Sequence, residues 1–97
     1  MTLQQLKYII MVAETGTITE AASRLFISQP SLTNAIHELE KEMNITIFDR
    51  TNKGIHISKD GEDFLGYARQ VLEQATLLED RYTVSYTHLT LPTNSLV

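Results

Sequence analysis

Residues 17–40, TITEAASRLFISQPSLTNAIHELE, most strongly restrict how this chain can fold. Thr17 can cap a first short helix, and an Ala-Ala pair within that helix allows a second helix to approach closely. Ser28 can cap the second helix, with Pro30 in its first turn, where the missing N–H of proline costs nothing. Two capped helices joined by a tight turn are the layout of a helix-turn-helix, which places its second helix in the major groove of DNA.

Periodicities on both sides of this motif predict a mainly α fold, a winged helix-turn-helix. Apolar residues at helical spacing predict a first helix over about 3–14 and a long last helix over about 59–82. Between them, strand-forming residues flank Asn52 and Gly54 and predict a short β-hairpin, or wing. We therefore expect three divisions: a winged helix-turn-helix DNA-binding domain over 1–58, a linker and dimerisation helix over 59–83, and a non-native or disordered tail over 84–97.

The last helix has an apolar stripe too wide for a single helix in water. Its apolar residues step alternately by four and three, which is the a/d heptad pattern of paired helices. Because such a stripe requires a partner, we expect a homodimer formed through this helix. The expected interface residues are Phe64, Ala68, Val71, Leu72, Ala75 and Leu78.

The composition argues against several other classes of protein. A chain of 97 residues has room for one modest core, and without cysteine it has no disulfide or thiolate metal site. Its 3 histidines are scattered without metal-ligand spacing, and no catalytic constellation is visible, so we expect neither a metal or other cofactor nor an enzyme. With no membrane-length apolar run and no signal peptide, we expect a cytoplasmic protein.

The net charge of −4 opposes DNA binding at first sight, because phosphate neutralisation favours a basic surface. Much of the acidic excess follows Ile57, however, where it can lie away from the surface that faces the groove. Double-stranded DNA is therefore the first expected partner. The alternative is a winged-helix protein-interaction module that does not bind DNA.

Polar residues on the outer face of the second motif helix are the candidate base readers. Gln and Asn side chains can bond adenine bidentately, Thr offers a hydroxyl or a methyl group to thymine, and a Pro ring can touch a thymine methyl. The candidate base contacts are Gln29, Pro30, Thr33 and Asn34. The candidate backbone contacts are Arg24, Ser28, Ser31, His37 and Lys41, with Arg50 and Lys53 in the wing for phosphate or the minor groove. For Arg24, pairing with a nearby carboxylate is the alternative.

Together, these residues resemble the N-terminal domain of a LysR-type transcriptional regulator over about 1–83. The resemblance is carried by AAxxLxxSQPSL, the LE near the end of the second motif helix, IxIFxR at the start of the wing, and the capped long helix. It implies a bacterial transcription regulator that acts at the nucleoid, with the second motif helix in the major groove of DNA and the wing at the minor groove. It also implies antiparallel pairing of the linker helices and the assembly of dimers into tetramers on promoter DNA.

The sequence departs from this family in two ways. Many members carry Arg at the position of Asn34, and often a basic residue at the position of His37. The preferred DNA sequence of this chain is therefore expected to differ. Members also continue into an effector-binding domain of two α/β lobes that senses a small molecule, and this chain stops before it. The tail segment VSYTHLTLPT resembles the in-frame translation of a sequencing adapter, and the alternative is a divergent linker with the first strand of the missing domain.

Overall fold

The computed structural model describes residues 1–51 and 54–84. Within them the chain forms four α-helices and one antiparallel hairpin, which confirms the predicted mainly α winged helix-turn-helix. The elements are α1 (Leu3–Thr15), α2 (Ile18–Leu25), α3 (Gln29–Met43), β1 (Phe48–Thr51), β2 (Gly54–Ile57), α4 (Lys59–Glu79) and a π-helical turn (Asp80–Val84). The long last helix thus continues slightly beyond its expected end. The predicted tail lies outside the described residues, apart from Val84.

Short hydroxyl side chains begin all four helices. The caps predicted at Thr17 and Ser28 are confirmed, because their hydroxyls accept hydrogen bonds from the N–H groups of Glu20 (3.1 Å) and Ser31 (3.2 Å). Thr2 and Ser58 cap α1 and α4 in the same way. Each cap satisfies an N–H group that has no partner inside its helix, so the sequence fixes where each helix starts.

The core forms where α1, α2 and α3 meet beneath the hairpin. Leu32, Ile36 and Leu39 of α3 are at most 4% exposed and follow one another at helical spacing, as the sequence pattern predicts. The two alanines of α2 are also buried, which lets the helices approach closely. The apolar face of α3 is therefore fixed inward, and its polar face is turned to solvent.

The hairpin presents one face to this core. Phe48 pairs with Ile57, and Arg50 pairs with Ile55, so these four side chains share a face of the two-stranded sheet. Phe48 is buried and both isoleucines pack against the core, which makes this the inner face. Arg50 thus starts from the inner face of the wing rather than from its solvent side.

Ile47 fastens the hairpin to the helices on either side of it. Its side chain is fully buried, and its N–H donates to Oε2 of Glu40 on α3 at 2.7 Å. Its carbonyl accepts the N–H of Ser58, the cap of α4, at 2.9 Å. Gly61 in the first turn of α4 lies so close that a Cβ there would overlap the Ile47 carbonyl. The hairpin, α3 and α4 therefore hold one another in place.

Only the first half of α4 packs into the core. Leu65 and Ala68 are 2% and 3% exposed, and α4 contacts α1 along this stretch. We call the described residues up to Ala68 the head, and residues 69–84 the distal helix. Ala68, which the sequence places in a dimer interface, is already buried in the core of its own chain, so its role in an interface stays a prediction. Phe64 and Leu72 are also partly covered by this core.

The distal helix leaves its apolar side chains in solvent. Val71, Leu77, Leu78 and Tyr82 are 42%, 57%, 61% and 60% exposed, whereas Ala75 is half-buried. Of the expected seam, Val71 and Leu78 thus belong to an exposed apolar surface, which Tyr82 enlarges. This projecting helix gives the molecule its elongated shape, with principal extents of 54 × 24 × 19 Å.

Candidate nucleic-acid interface

The start of α3 is an exposed and locally fixed surface. The Ser28 hydroxyl accepts the N–H of Ser31 and donates to the Ser31 hydroxyl at 2.9 Å, so the two serines hold each other. Gln29 and Pro30 follow the cap and are both exposed. Because Pro30 lies in the first turn, the absence of its N–H removes no bond within the helix.

The structure brings the four candidate base readers together on the outer surface of α3. Gln29 and Thr33 lie one turn apart, and Pro30 and Asn34 form the neighbouring row. Gln29, Pro30 and Asn34 are exposed, whereas Thr33 is half-buried at the edge nearest the wing. Pro30 and Asn34 lie opposite the buried face of α3, whereas Gln29 and Thr33 lie along its flank.

The remaining α3 candidates lie further along the same surface. His37 and Lys41 are both exposed, one and two turns beyond Thr33. Lys41 is the single Lys or Arg in the whole of α3. A negatively charged groove would therefore find most of its positive partners on the elements that flank α3.

One such cation, Arg24, lies on α2 and has a partner within the chain. Its Nε is 3.1 Å from Oε2 of Glu20, one turn away, and both side chains are more than half exposed. This is the pairing that sequence reasoning kept as an alternative to a phosphate contact. An exposed pair at this spacing contributes only about 0.3–0.5 kcal/mol, so it holds Arg24 weakly.

The second flanking cation, Arg50, reaches from the wing to α3. Its Nη2 donates to Oγ1 of Thr33 at 3.2 Å. Beneath this bond is a cavity of about 20 Å³, large enough for one water molecule, with Thr33, His37, Glu40 and Arg50 among its lining residues. The wing candidate thus lies beside a base-reading candidate. The other wing candidate, Lys53, lies outside the described residues.

Glu40 positions the wing, a role that sequence reasoning did not assign to it although it is the Glu of the LE motif noted there. Its Oε2 accepts the N–H groups of Ile47 at 2.7 Å and Phe48 at 3.1 Å, which ties β1 to α3. Glu40 lies seven residues, or about two turns, after Thr33 and therefore on the same edge of α3. That spacing was visible in the sequence, but the partner was not, because the amides of Ile47 and Phe48 come from a different element.

Phe26 was also missed as a surface residue. It is 93% exposed and ends α2 in a left-handed conformation, with φ 59°. Leu25 and Ile27 on either side pack inward, so the side chain between them has to point outward. The available signal was this alternation around the turn, which places an aromatic ring beside the start of α3.

The part of the chain that the structure describes shows neither a cluster of metal ligands nor a membrane-spanning helix. No group of three or more His, Cys, Asp or Glu residues there has the arrangement of a metal site. No helix among the same residues is long and apolar enough to cross a membrane. The α3 surface with its flanking cations therefore remains the candidate site.

Comparison with known sequences identifies relatives for most of the chain. The model of the bacterial regulatory helix-turn-helix proteins of the lysR family matches residues 3–62. The HTH-type transcriptional regulator TcbR of Pseudomonas sp. strain P51 is 41% identical over 81 residues, which cover 84% of this chain and 28% of TcbR. YofA of Bacillus subtilis is 45% identical over 67 residues, which cover 69% of this chain and 24% of YofA. The chain thus matches about a quarter of the length of these relatives.

Solved structures agree in fold and in extent. A complex of the CbnR DBD with DNA has a TM-score of 0.81 and 39% identity, and the match covers 88% of this chain and 98% of that one. The BenM DBD in complex with catB site 1 DNA has a TM-score of 0.82 and 30% identity, covering 86% and 93%. Because the family model spans more than half of the chain and the same fold recurs at this level of identity, this chain belongs to the lysR family of bacterial regulatory helix-turn-helix proteins.

Proposed function

We propose that this chain is the DNA-binding part of a bacterial transcription regulator and reads promoter DNA with α3 in the major groove. The observation that carries the proposal is the exposed polar surface of α3, which is fixed by a cap at its start and bordered by the wing. The comparisons support it, because the CbnR and BenM domains that share this fold were solved with DNA. In this role the chain is not an enzyme and acts in the cytoplasm, at the nucleoid.

Four side chains on this surface read bases. Gln29 and Asn34 each carry an amide that can pair with both major-groove atoms of adenine, N6 and N7. Pro30 offers an apolar ring to a thymine methyl, and Thr33 offers a hydroxyl. Since Asn34 is neutral where many relatives carry Arg, we expect adenine rather than guanine opposite it.

A second group of side chains contacts the DNA backbone. Ser28 and Ser31 lie at the start of α3, where hydroxyl and N–H groups suit a phosphate. Arg24, His37, Lys41, Arg50 and Lys53 extend this contact along α3 and onto the flanking elements. Four of these side chains, Arg24, Lys41, Arg50 and Lys53, are Lys or Arg. We therefore expect the affinity for DNA to fall as the salt concentration rises.

The distal helix makes the chain a homodimer in this proposal. The support is its exposed apolar surface around Val71 and Leu78, with the half-buried Phe64, Leu72 and Ala75 at its margin. The helix serves as the linker and dimerisation segment that follows the DNA-binding domain of residues 1–58. Pairing of dimers into tetramers, and any response to a small molecule, belong in this proposal to the full-length protein.

Selection of a random duplex pool by the whole chain tests DNA reading. We expect enrichment of an inverted repeat, because a symmetric dimer presents two copies of α3. The matched control is the double variant Thr33→Ala/Asn34→Ala, which removes two base readers from exposed or half-buried positions and should fold normally. Enrichment by the control of the same repeat would contradict the assigned base contacts, and no enrichment by the folded wild type would contradict the proposal itself.

The second candidate function is a winged-helix module that binds protein and leaves its α3 surface idle. The net charge of −4 and the single Lys in α3 favour it. Titration of a generic duplex at low salt distinguishes the two, because a DNA-binding surface attracts any duplex under these conditions. An idle surface would give no binding and no dependence on salt.

A further inference from the structure

Arg50 bonds to a base-reading candidate within its own chain, and this changes what that candidate can recognise. We propose that Arg50 is a specificity-determining residue that acts through Thr33 by fixing the Thr33 hydroxyl as a hydrogen-bond donor toward DNA. The inference rests on the proposed function, because it concerns how α3 reads bases. It assigns Arg50 a role beyond that of a wing cation that holds phosphate.

The hairpin register is the first step. Arg50 pairs across the hairpin with Ile55 and shares the inner face of the wing with Phe48. The Arg50 side chain therefore starts from the side of the hairpin that packs on the core. Glu40 accepts two amide hydrogens at the start of β1 and fixes the distance between this strand and α3. The guanidinium is thereby held beside α3, where its Nη2 lies 3.2 Å from the Thr33 hydroxyl oxygen.

The second step is the direction of the hydrogen bond. A threonine hydroxyl has one hydrogen to donate and two lone pairs that accept, whereas an Arg guanidinium can only donate. The Thr33 oxygen must therefore be the acceptor in this pair. Among the described residues, the Thr33 hydroxyl hydrogen is given to no acceptor, so it is available to a group outside the chain.

The third step is the pattern that DNA presents. In the major groove guanine, adenine and thymine each present an acceptor atom, whereas cytosine presents its N4 amino group as a donor. A Thr33 hydroxyl that faces the groove with its hydrogen accepts the first three bases and disfavours cytosine. The bond from Arg50 occupies one of the two lone pairs of the Thr33 oxygen and leaves the other, so it biases the hydroxyl toward donation. Without Arg50, both lone pairs are free to accept from cytosine. Loss of Arg50 should therefore relax the preference at one base position.

An affinity comparison separates this role from a simple phosphate contact. The whole chain is titrated with the enriched duplex and with a second duplex that carries cytosine at the position whose preference Thr33→Val abolishes. We expect the wild type to disfavour cytosine about fivefold, the size of one neutral hydrogen bond. Arg50→Met should reduce this ratio to about one. The matched control Arg24→Met removes an exposed cation from α2 and should weaken both duplexes alike.

A double-mutant test shows whether Arg50 acts through Thr33. In a Thr33→Val background, Arg50→Met should leave the cytosine ratio unchanged, because the hydroxyl that it orients is absent. If Arg50→Met weakens both duplexes equally, as Arg24→Met does, the inference is overturned and Arg50 is a phosphate contact. If the wild type binds no duplex at all, the proposed function fails, and this inference with it.

A measurement without DNA tests the same bond independently of the proposed function. Threonine in a helix divides between two χ1 rotamers unless a partner selects one. Side-chain scalar couplings in the free protein should show a single Thr33 rotamer in the wild type and averaged rotamers in Arg50→Met. Averaged couplings in the wild type would overturn the inference even if the chain binds DNA.

Discussion

The head and the distal helix are both built on helical apolar patterns, yet they differ in where those residues end up. In the head, Leu32 and Leu39 of α3 are completely buried, whereas Val71 and Leu78 of the distal helix are 42% and 61% exposed. The core of the head is thus buried by residues of the same chain, whereas the apolar surface of the distal helix is left exposed in the part of the chain that the structure describes. The difference shows that helical periodicity identifies an apolar face without saying which chain will cover it.

The largest expected effect comes from truncating one leucine in each region. We expect Leu39→Ala to lower the free energy of unfolding by about 2–5 kcal/mol, because it leaves a cavity in a packed core. The matched variant Leu78→Ala should cost about 0.5 kcal/mol or less in a dilute monomeric sample, because its side chain is already largely in solvent. Urea titration followed by circular dichroism measures both. Similar losses would show that the distal helix is packed in the free chain.

A smaller effect separates two glycines that both lie in α4. Gly61→Ala should destabilise the chain by about 1–3 kcal/mol, because the new Cβ overlaps the carbonyl of Ile47 and forces α4 away from the hairpin. Gly66→Ala meets no atom within 4 Å and should stabilise the helix by about 0.5–1 kcal/mol, since Ala is the better helix former. Thermal unfolding should shift in opposite directions for the two variants. A shift in the same direction would mean that α4 is not seated on Ile47.

The smallest effect on the head comes from charging the distal surface. Val71→Glu should convert the proposed dimer into monomers in sedimentation experiments, because a carboxylate cannot be buried there without a partner. The amide chemical shifts of the head should remain unchanged. Gln70→Glu is the control, since it adds the same charge to an exposed position that has no expected interface residue one or two turns away. A Val71→Glu variant that stays dimeric would place the interface elsewhere.

Local chemistry explains most of what the sequence predicted. The caps at Thr17 and Ser28 and the α3 stripe through Leu32 and Leu39 depend on neighbours in the chain, so they can be read from spacing alone. Ala68 was different, because a seam residue is buried in the same way by its own chain or by a partner. Its side chain is buried within its own chain, so its expected place in the interface stays a prediction.

The sequence predicted which residues form the candidate site, but not the hydrogen bonds that join them. The positions of Gln29 and Asn34 on an exposed face follow from helical spacing. The bond between Arg50 and Thr33 joins residues 17 positions apart on different elements, so no local pattern contains it. The alternation of β1 did place Arg50 on the same face as Phe48. Its charge and its closeness to a turn, however, favoured the interpretation that its side chain points away from α3, toward DNA.

The C-terminal ends of α2 and α3 also show that local sequence patterns predict only part of the structure. Asn44 ends α3 with φ 58°, a left-handed conformation that asparagine tolerates well. Phe26 ends α2 with nearly the same φ, 59°, although a bulky side chain rarely adopts it. Packing of Leu25 and Ile27 on either side decides the backbone at Phe26, and packing depends on the whole fold.

The double attachment of Ile47 also bears on distance measurement along DNA. Its N–H is bound by Glu40 of α3, and its carbonyl by the cap of α4, so Ile47 helps to set the angle between α3 and α4, together with the packing of α4 on the core. In a dimer joined by the distal helices, that angle determines how far apart the two reading helices stand. The spacing between DNA half-sites that such a protein accepts would then depend on the segment around Ile47, which does not contact a base.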